Sequence, residues 1–244
     1  MACIGTCSSG EPALRIRRTG LITRSDRRTA VAIVGGGASG TLLAAQLARR
    51  GIKSAVIDGS GRVGRGVAYS TVEDAHLLNV RAINMSAFPD KPDDFAEYFE
   101  AEGANRFDYA PRKFYARYLG EILDQAVASG STTIVEDEVV AARRSGRGWR
   151  LDLGEGSTLE SGALALATGN QEPAELKVFA GAGRRFIANP WGPDARLALE
   201  QLARDGGDAL VVGTGLTMVD LALSLDTYII FHTLKVMLFS ETAQ

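Results

Sequence analysis

The stretch that decides the fold is Val31-Ala32-Ile33-Val34-Gly35-Gly36-Gly37-Ala38-Ser39-Gly40-Thr41-Leu42-Leu43-Ala44-Ala45-Gln46-Leu47-Ala48-Arg49-Arg50. Four apolar, strand-prone residues run into three glycines, and a helical pattern follows without a break. Gly35, Gly37 and Gly40 have the G-x-G-x-x-G spacing, with Ala38 and Ser39 between the last two. The first glycine makes the tight turn, the second lets backbone approach a pyrophosphate, and the third lets helix and strand pack closely. The helix N-terminus adds unpaired N–H groups and a partial positive charge facing that phosphate. After Arg50-Gly51 the chain returns as Lys53-Ser54-Ala55-Val56-Ile57-Asp58. This reads as a second strand, ending in an acid about 20 residues past the glycines, where a ribose hydroxyl needs an acceptor. Strand, glycine turn, helix and acid together point to dinucleotide binding, against the plainer reading of a Gly-rich turn.

Length and bulk composition agree with a soluble globular protein of one large or two small domains. The chain has 244 residues, 45% of them hydrophobic, and a net charge of -2, which gives no reason to expect nucleic acid as a partner. Cys3 and Cys7 flank three residues, so they do not form a C-x-x-C pair. No further Cys or His accompanies them as in a zinc site, so no metal is expected and a reduced, cytoplasmic setting is the simpler reading. Residues 1–29 read as an unstructured leader rich in arginine. Arg17-Arg18 lacks the apolar core of a twin-arginine signal, and an Arg-rich transit peptide competes with a disordered extension or an upstream start.

Residues 30–172 read as the first nucleotide domain. Gly59 to Ser70 is a glycine-rich loop carrying Arg62 and Arg65; it can lie close to an anion and add positive charge, or be a plain surface loop. His76 to Pro89 reads as ordered loop with embedded amides, Asn79 and Asn84, which if buried would need hydrogen-bond partners. His76, one of two histidines in the chain, reads as a satisfied structural residue rather than a catalytic base. Helices are expected at 93–102 and 111–128. In the second, Tyr115, Tyr118, Leu119, Ile122, Leu123, Ala126 and Val127 repeat at helical spacing as core. Short strands follow at 133–135, 138–142 and 149–153. Then Gly162 to Ala167 reads as a fully buried parallel strand ending in Thr168-Gly169.

A connector is expected over 173–207, with a turn at Asn189-Pro190-Trp191-Gly192-Pro193 and a helix from Asp194 to Ala203. A second nucleotide signal then appears as a strand at 208–212, Gly213-Thr214-Gly215 and a helix from Leu216. Met218 stands at the third glycine position, which weakens the fingerprint and leaves a purely structural turn open as an alternative.

These motifs together resemble the flavoproteins that bind two dinucleotides. Gly64-Arg65-Gly66-Val67-Ala68-Tyr69, His76-Leu77-Leu78-Asn79-Val80 and Gly213 to Asp220 look more narrowly like bacterial FAD/NAD(P)-binding proteins that include FAD-dependent urate hydroxylases. The resemblance covers roughly residues 30 to 225. It implies an α/β fold with a Rossmann-like FAD domain, a parallel sheet with a small β-meander, followed by the start of a Rossmann-like NAD(P) unit over 208–244. It implies FAD in the first site, with Gly35, Gly37 and Gly40 on the pyrophosphate and Asp58 on the adenosine ribose. Arg65, Asn79 and Met85 would lie near the cofactor, Thr168-Gly169 would pass close to it, and Val139 would run beside the adenine. Gly213 and Gly215 would face NAD(P)H.

The expected activity is NAD(P)H-dependent flavin oxidoreduction, monooxygenase-like, on a small molecule, with no catalytic acid or base assignable. Residues 226–244 lack Gly, Arg and Pro and read as a truncation or frameshift product. That motivates an alternative, a truncated and inactive FAD- or nucleotide-binding protein, with self-association through an incomplete second unit. The tail is too short to span a membrane. A single-domain NAD dehydrogenase would leave the Ala167-Thr168-Gly169 strand end and the second glycine turn without a role.

Overall fold

The computed structural model describes residues 28–173, 177–179, 181–206 and 208–228. Residues 1–27, with both cysteines, and the tail at 229–244 lie outside the described residues. Strand β1 (Arg28–Val34) begins two residues inside the expected leader and leads through the glycine turn into α1 (Ala38–Ala48). Next come β2 (Ser54–Ile57), α2 (Asp94–Glu100), α3 (Arg112–Ala128) and β3 (Thr132–Val135). The meander is β4 (Val139–Ser145), β5 (Gly148–Leu153) and β6 (Thr158–Leu166), and α4 (Pro193–Asp205) and α5 (Leu216–Tyr228) follow.

Six strands form one sheet in the order β3-β2-β1-β6-β5-β4. Strands β3, β2, β1 and β6 are parallel, while β4, β5 and the first half of β6 pair antiparallel. Side-chain alternation explains the layering. Ile33, Val56 and Ile134 face the layer of α1 and α3, where they pack with Ala44, Val63 and Leu123. Ala32, Ala55, Ile57 and Val135 face the other way and pack with Leu151, Leu153 and Leu159 of the meander. A third cluster, built on Phe95, Phe99, Tyr115, Tyr118, Leu119 and Ile122, joins α2 and α3 to the loop around Leu78 and Ala82. Phe95 is fully buried there, which stabilises the fold by roughly 1.5–3 kcal/mol.

Several expectations change. The C-terminal half of β6 is not fully buried: Gly162 and Ala163 are exposed and Leu166 is 72% exposed. The strand is parallel to β1 as expected, and Ala165 and Ala167 pack against the cluster that holds Ala44 and Leu123, but Leu166 alternates to the open face, so its apolar run is not buried on both faces. Residues 208–212 do not form the expected strand; only Val212 takes part in a bridge. A strand needs a neighbour to pair its backbone groups, and no ladder runs beside this segment among the described residues. The glycine turn and helix that follow it are present.

Candidate functional site

The parallel strands β1, β2, β3 and β6 all end on the same edge of the sheet, the position where open α/β sheets hold ligands. The first glycine turn lies there. Gly35 has φ +101°, and a Cβ on it would sit 2.2 Å from the carbonyl oxygen of Ala167. A Cβ on Gly40 would sit 2.0 Å from the Gly35 carbonyl oxygen and 3.3 Å from Ile33 Cγ2. The turn is therefore clamped between the end of β6 and the first turn of α1, as the sequence reading of both glycines requires. Helix α1 starts at Gly37; among the described residues no side chain caps it, and its first turn carries no acid. An uncapped helix N-terminus presents N–H donors and partial positive charge to an anion.

Asp58 follows β2 and turns toward this site. Its Oδ2 accepts the Gly36 N–H at 2.6 Å, and its Oδ1 accepts the Ser60 N–H at 2.8 Å. The Ser60 hydroxyl also donates to Oδ1; a carboxylate has about four lone-pair sites, so these three bonds fix its orientation and leave one acceptor site for a hydroxyl. The glycine-rich loop then folds back over the fingerprint: Gly64 N–H donates to the Gly36 carbonyl at 2.7 Å. Gly66, at φ +61°, approaches so closely that its Cβ would meet Gly37 Cα at 3.0 Å. Val63 anchors the loop in the core. Arg62 and Arg65 are exposed on it. At the adjoining edge a Cβ on Gly59 would lie 2.9 Å from Glu138 Cγ, which places the Glu138-Val139 segment beside the residue after Asp58.

The structure thus gathers Gly35, Gly37, Ala38, Ser39, Gly40, Asp58, Arg65, Val139, Thr168 and Gly169 on one edge of the sheet. It does not place every expected residue there by contact. Asn79 and Asn84 are exposed, not buried, because the loop turns their short polar side chains outward while Leu78 and Ala82 enter the core. Met85 packs against the helical cluster. Gly213 and Gly215 have open space around their Cβ positions among the described residues. Two contributors had little sequence signal of their own. Gly36 sits between the fingerprint glycines and forms the hydrogen bond to Asp58. Gly66 is one of several loop glycines, and only its position against Gly37 distinguishes it.

A second cluster lies where the 71–80 loop, the start of α3 and α5 meet. His76 is 4% exposed. Its Nδ1 lies 2.7 Å from Thr71 Oγ1, and its Nε2 lies 2.9 Å from Ser224 Oγ and 3.1 Å from the Asp220 carbonyl oxygen. The ring is satisfied on both sides, as expected for a structural histidine. Arg112 donates from Nε to the Leu77 carbonyl at 3.0 Å, and its Nη2 lies 2.7 Å from Asp220 Oδ2. That last contact is an ion pair in distance but misaligned for a hydrogen bond, since Asp220 Oδ2 accepts none. Trp191 packs against both side chains: its ring lies 5.7 Å from the Arg112 guanidinium and meets the His76 ring edge-to-face at 5.8 Å. Burial pushes the nearby Tyr69 phenol up, against the pull of Arg112.

Residues 32–171 match the FAD-NAD(P)-binding family. The chain belongs to that family. Its description names both dinucleotides expected from the two glycine turns. Among solved structures the fold is similar to OTEMO in complex with FAD and NADP, at 19% identity and TM-score 0.61, over 88% of this chain and 38% of that one. An oxidized steroid monooxygenase bound to NADP matches at 20% identity and TM-score 0.61, over 86% of this chain and 38% of that one. A flavin monooxygenase from Stenotrophomonas maltophilia matches at 18% identity and TM-score 0.61, over 88% of this chain and 59% of that one. At these identities the likeness is one of fold. The chain spans about two fifths of the length of the first two. No match was found among curated proteins. Among the described residues no helix is long and apolar enough to cross a membrane.

Proposed function

We propose that the protein is an FAD-dependent oxidoreductase that takes electrons from NAD(P)H and acts on a small molecule in the manner of a flavin monooxygenase. The observation that carries this reading is the two-glycine cradle. Gly66 closes on Gly37 at the acid-free, uncapped N-terminus of α1, with Asp58 fixed beside it. A Cβ at Gly66 would fill the space nearest Gly37, which fits a backbone that must come close to a pyrophosphate.

In this reading the backbone N–H groups around Gly37, Ala38, Ser39 and Gly40 hold the pyrophosphate, and Arg65 adds positive charge from the covering loop. Asp58 accepts a ribose hydroxyl while holding the Gly36 N–H, so one side chain sets both the turn and the sugar. Val139 borders the adenine, and Thr168-Gly169, with Asn79 and Met85, border the far part of the cofactor. Gly213 and Gly215 form the turn for NAD(P)H. When bound, FAD supplies the two-electron chemistry, and the chain's part is binding, orientation and charge.

The test is an absorption spectrum of the purified protein with identification of the released cofactor, followed by anaerobic addition of NADH or NADPH. Flavin bands, stoichiometric FAD and bleaching by either nicotinamide support the reading. The narrower resemblance makes urate the first substrate to try. Protein that takes up FAD but is not bleached would leave a nucleotide-binding protein without turnover. Protein that cannot be reconstituted with FAD would refute the first site.

A further inference from the structure

The buried cluster around His76 has no role in the cradle, yet it joins chain segments 144 and 148 residues apart. Its chemistry is specific. The Asp220 carbonyl can only accept, so Nε2 carries the proton and donates to it and toward Ser224 Oγ. Nδ1 then accepts the Thr71 hydroxyl, whose oxygen accepts the Glu73 N–H at 3.2 Å. His76 also ties its own backbone to α3, since its carbonyl accepts the Arg112 N–H at 2.8 Å. Arg112 returns to α5 through Asp220. Asp220 and Ser224, 5% and 4% exposed, lie one turn apart on α5, so both contacts hold a single face of that helix.

The two elements joined in this way carry the two glycine turns. The 71–80 loop continues from the segment that closes on Gly37. Helix α5 begins one residue after Gly215. Apart from this cluster α5 buries one large apolar side chain among the described residues, Leu225 at 1% exposure, whereas Leu210, Val212, Leu216 and Val219 are all more than two fifths exposed. Among the described residues, the polar contacts of His76 and Arg112 tie α5 directly to the first unit.

We infer that His76, with Arg112 and Ser224, is a positioning latch that fixes α5, and through it the Gly213–Gly215 turn, relative to the first nucleotide turn. The inference rests on the two-nucleotide reading above and adds to it a residue that governs electron delivery without touching either cofactor. Loosening the latch widens the range of separations between the two nucleotides and slows the NAD(P)H step. FAD affinity, which the cradle at Gly37 and the Asp58 carboxylate dominate, stays the same, since neither is part of the latch.

The experiment compares the natural chain with His76→Ala, His76→Gln and Ser224→Ala. Amide hydrogen exchange across residues 216–228 is measured without added nucleotide, and FAD affinity and the rate of flavin reduction by NAD(P)H and by dithionite are measured separately. In His76→Ala and Ser224→Ala, α5 amides exchange about tenfold faster or more, the scale of a lost buried hydrogen bond. NAD(P)H reduction slows while dithionite reduction and FAD affinity hold. His76→Gln, whose amide can both donate and accept, restores part of both readouts. Unchanged α5 exchange in both alanine variants overturns the latch, and so does a fall in FAD affinity that accounts for the slower reduction. If His76→Ala does not fold, Ser224→Ala, which leaves the loop contacts intact, decides the matter. Should the natural chain bind no FAD, the functional reading fails while the exchange comparison still judges the latch.

Discussion

Replacing Gly40 by alanine tests the cradle at its tightest point. The added methyl would lie 2.0 Å from the Gly35 carbonyl oxygen, 3.1 Å from the Gly35 carbonyl carbon and 3.3 Å from Ile33 Cγ2. An unstrained carbon–oxygen contact is about 3.3 Å or longer, so helix and turn must separate by more than about 1 Å. Gly35 cannot yield easily. Its N–H donates to the Ile57 carbonyl at 2.8 Å, and its own free side faces the Ala167 carbonyl at 2.2 Å from where a Cβ would stand. Overpacking of this kind costs about 1–3 kcal/mol. For a chain of this size that lowers Tm by about 2–12 °C. The displaced atoms include the N–H groups meant for the pyrophosphate, so FAD affinity falls about 10- to 100-fold if the strain acts on the bound geometry. Thermal melting and FAD titration read the two effects. Gly181→Ala serves as control, because its Cβ meets nothing within 4 Å and its effect stays within about 0.5 kcal/mol. A Gly40→Ala protein with unchanged melting and unchanged FAD affinity would refute the close-packing argument.

Other consequences follow from the same geometry. Asp58→Asn keeps one acceptor for the Gly36 N–H but loses the charge and the second acceptor toward Ser60; a loss of about 1–3 kcal/mol is expected, read as weaker FAD binding in titration calorimetry. Tyr118→Phe removes the hydroxyl that donates to Asp94 Oδ2 at 2.6 Å and accepts the Ala87 N–H at 3.1 Å, destabilising by about 1–3 kcal/mol in denaturant melts. Burial raises the phenols of Tyr115 and Tyr118 and pushes Tyr98 up to about 12. The folded chain therefore holds these protons to higher pH than the unfolded chain does. Their stabilisation is complete below the unfolded phenol pKa of about 10 and declines as pH rises through the folded values, so Tyr115→Phe flattens the alkaline limb of a melting-temperature profile. FAD at about 100 times its Kd should stabilise the protein by about 2.7 kcal/mol, and a melting curve indifferent to saturating FAD contradicts the first site.

Local patterns in the chain were enough to mark the first glycine turn. The apolar run at 31–34, the spaced glycines and the acid at 58 form a strand, turn, helix and strand whose hydrogen bonds and packing are mostly among neighbours in sequence. The meander and the long helix α3 were legible for the same reason, since periods of 2 and 3.6 record which face is buried. The exposure of β6 was not legible, because an apolar strand reads the same whether or not a helix covers it. Residue type alone did not say which way the loop turns the amides of Asn79 and Asn84, and both are exposed.

The amino-acid sequence by itself determined the nucleotide fingerprint, because the positive φ of Gly35 and the close approach of Gly40 to the Gly35 carbonyl act within a few residues and leave a local spacing. Only the tertiary structure decided which of the loop glycines meets Gly37, and what surrounds His76. Gly66 is set apart by a contact across space, and two of the His76 partners, Asp220 and Ser224, lie more than a hundred residues away on α5. Close packing and buried hydrogen bonds are satisfied by whatever folding brings near, and a linear pattern carries no record of that neighbour.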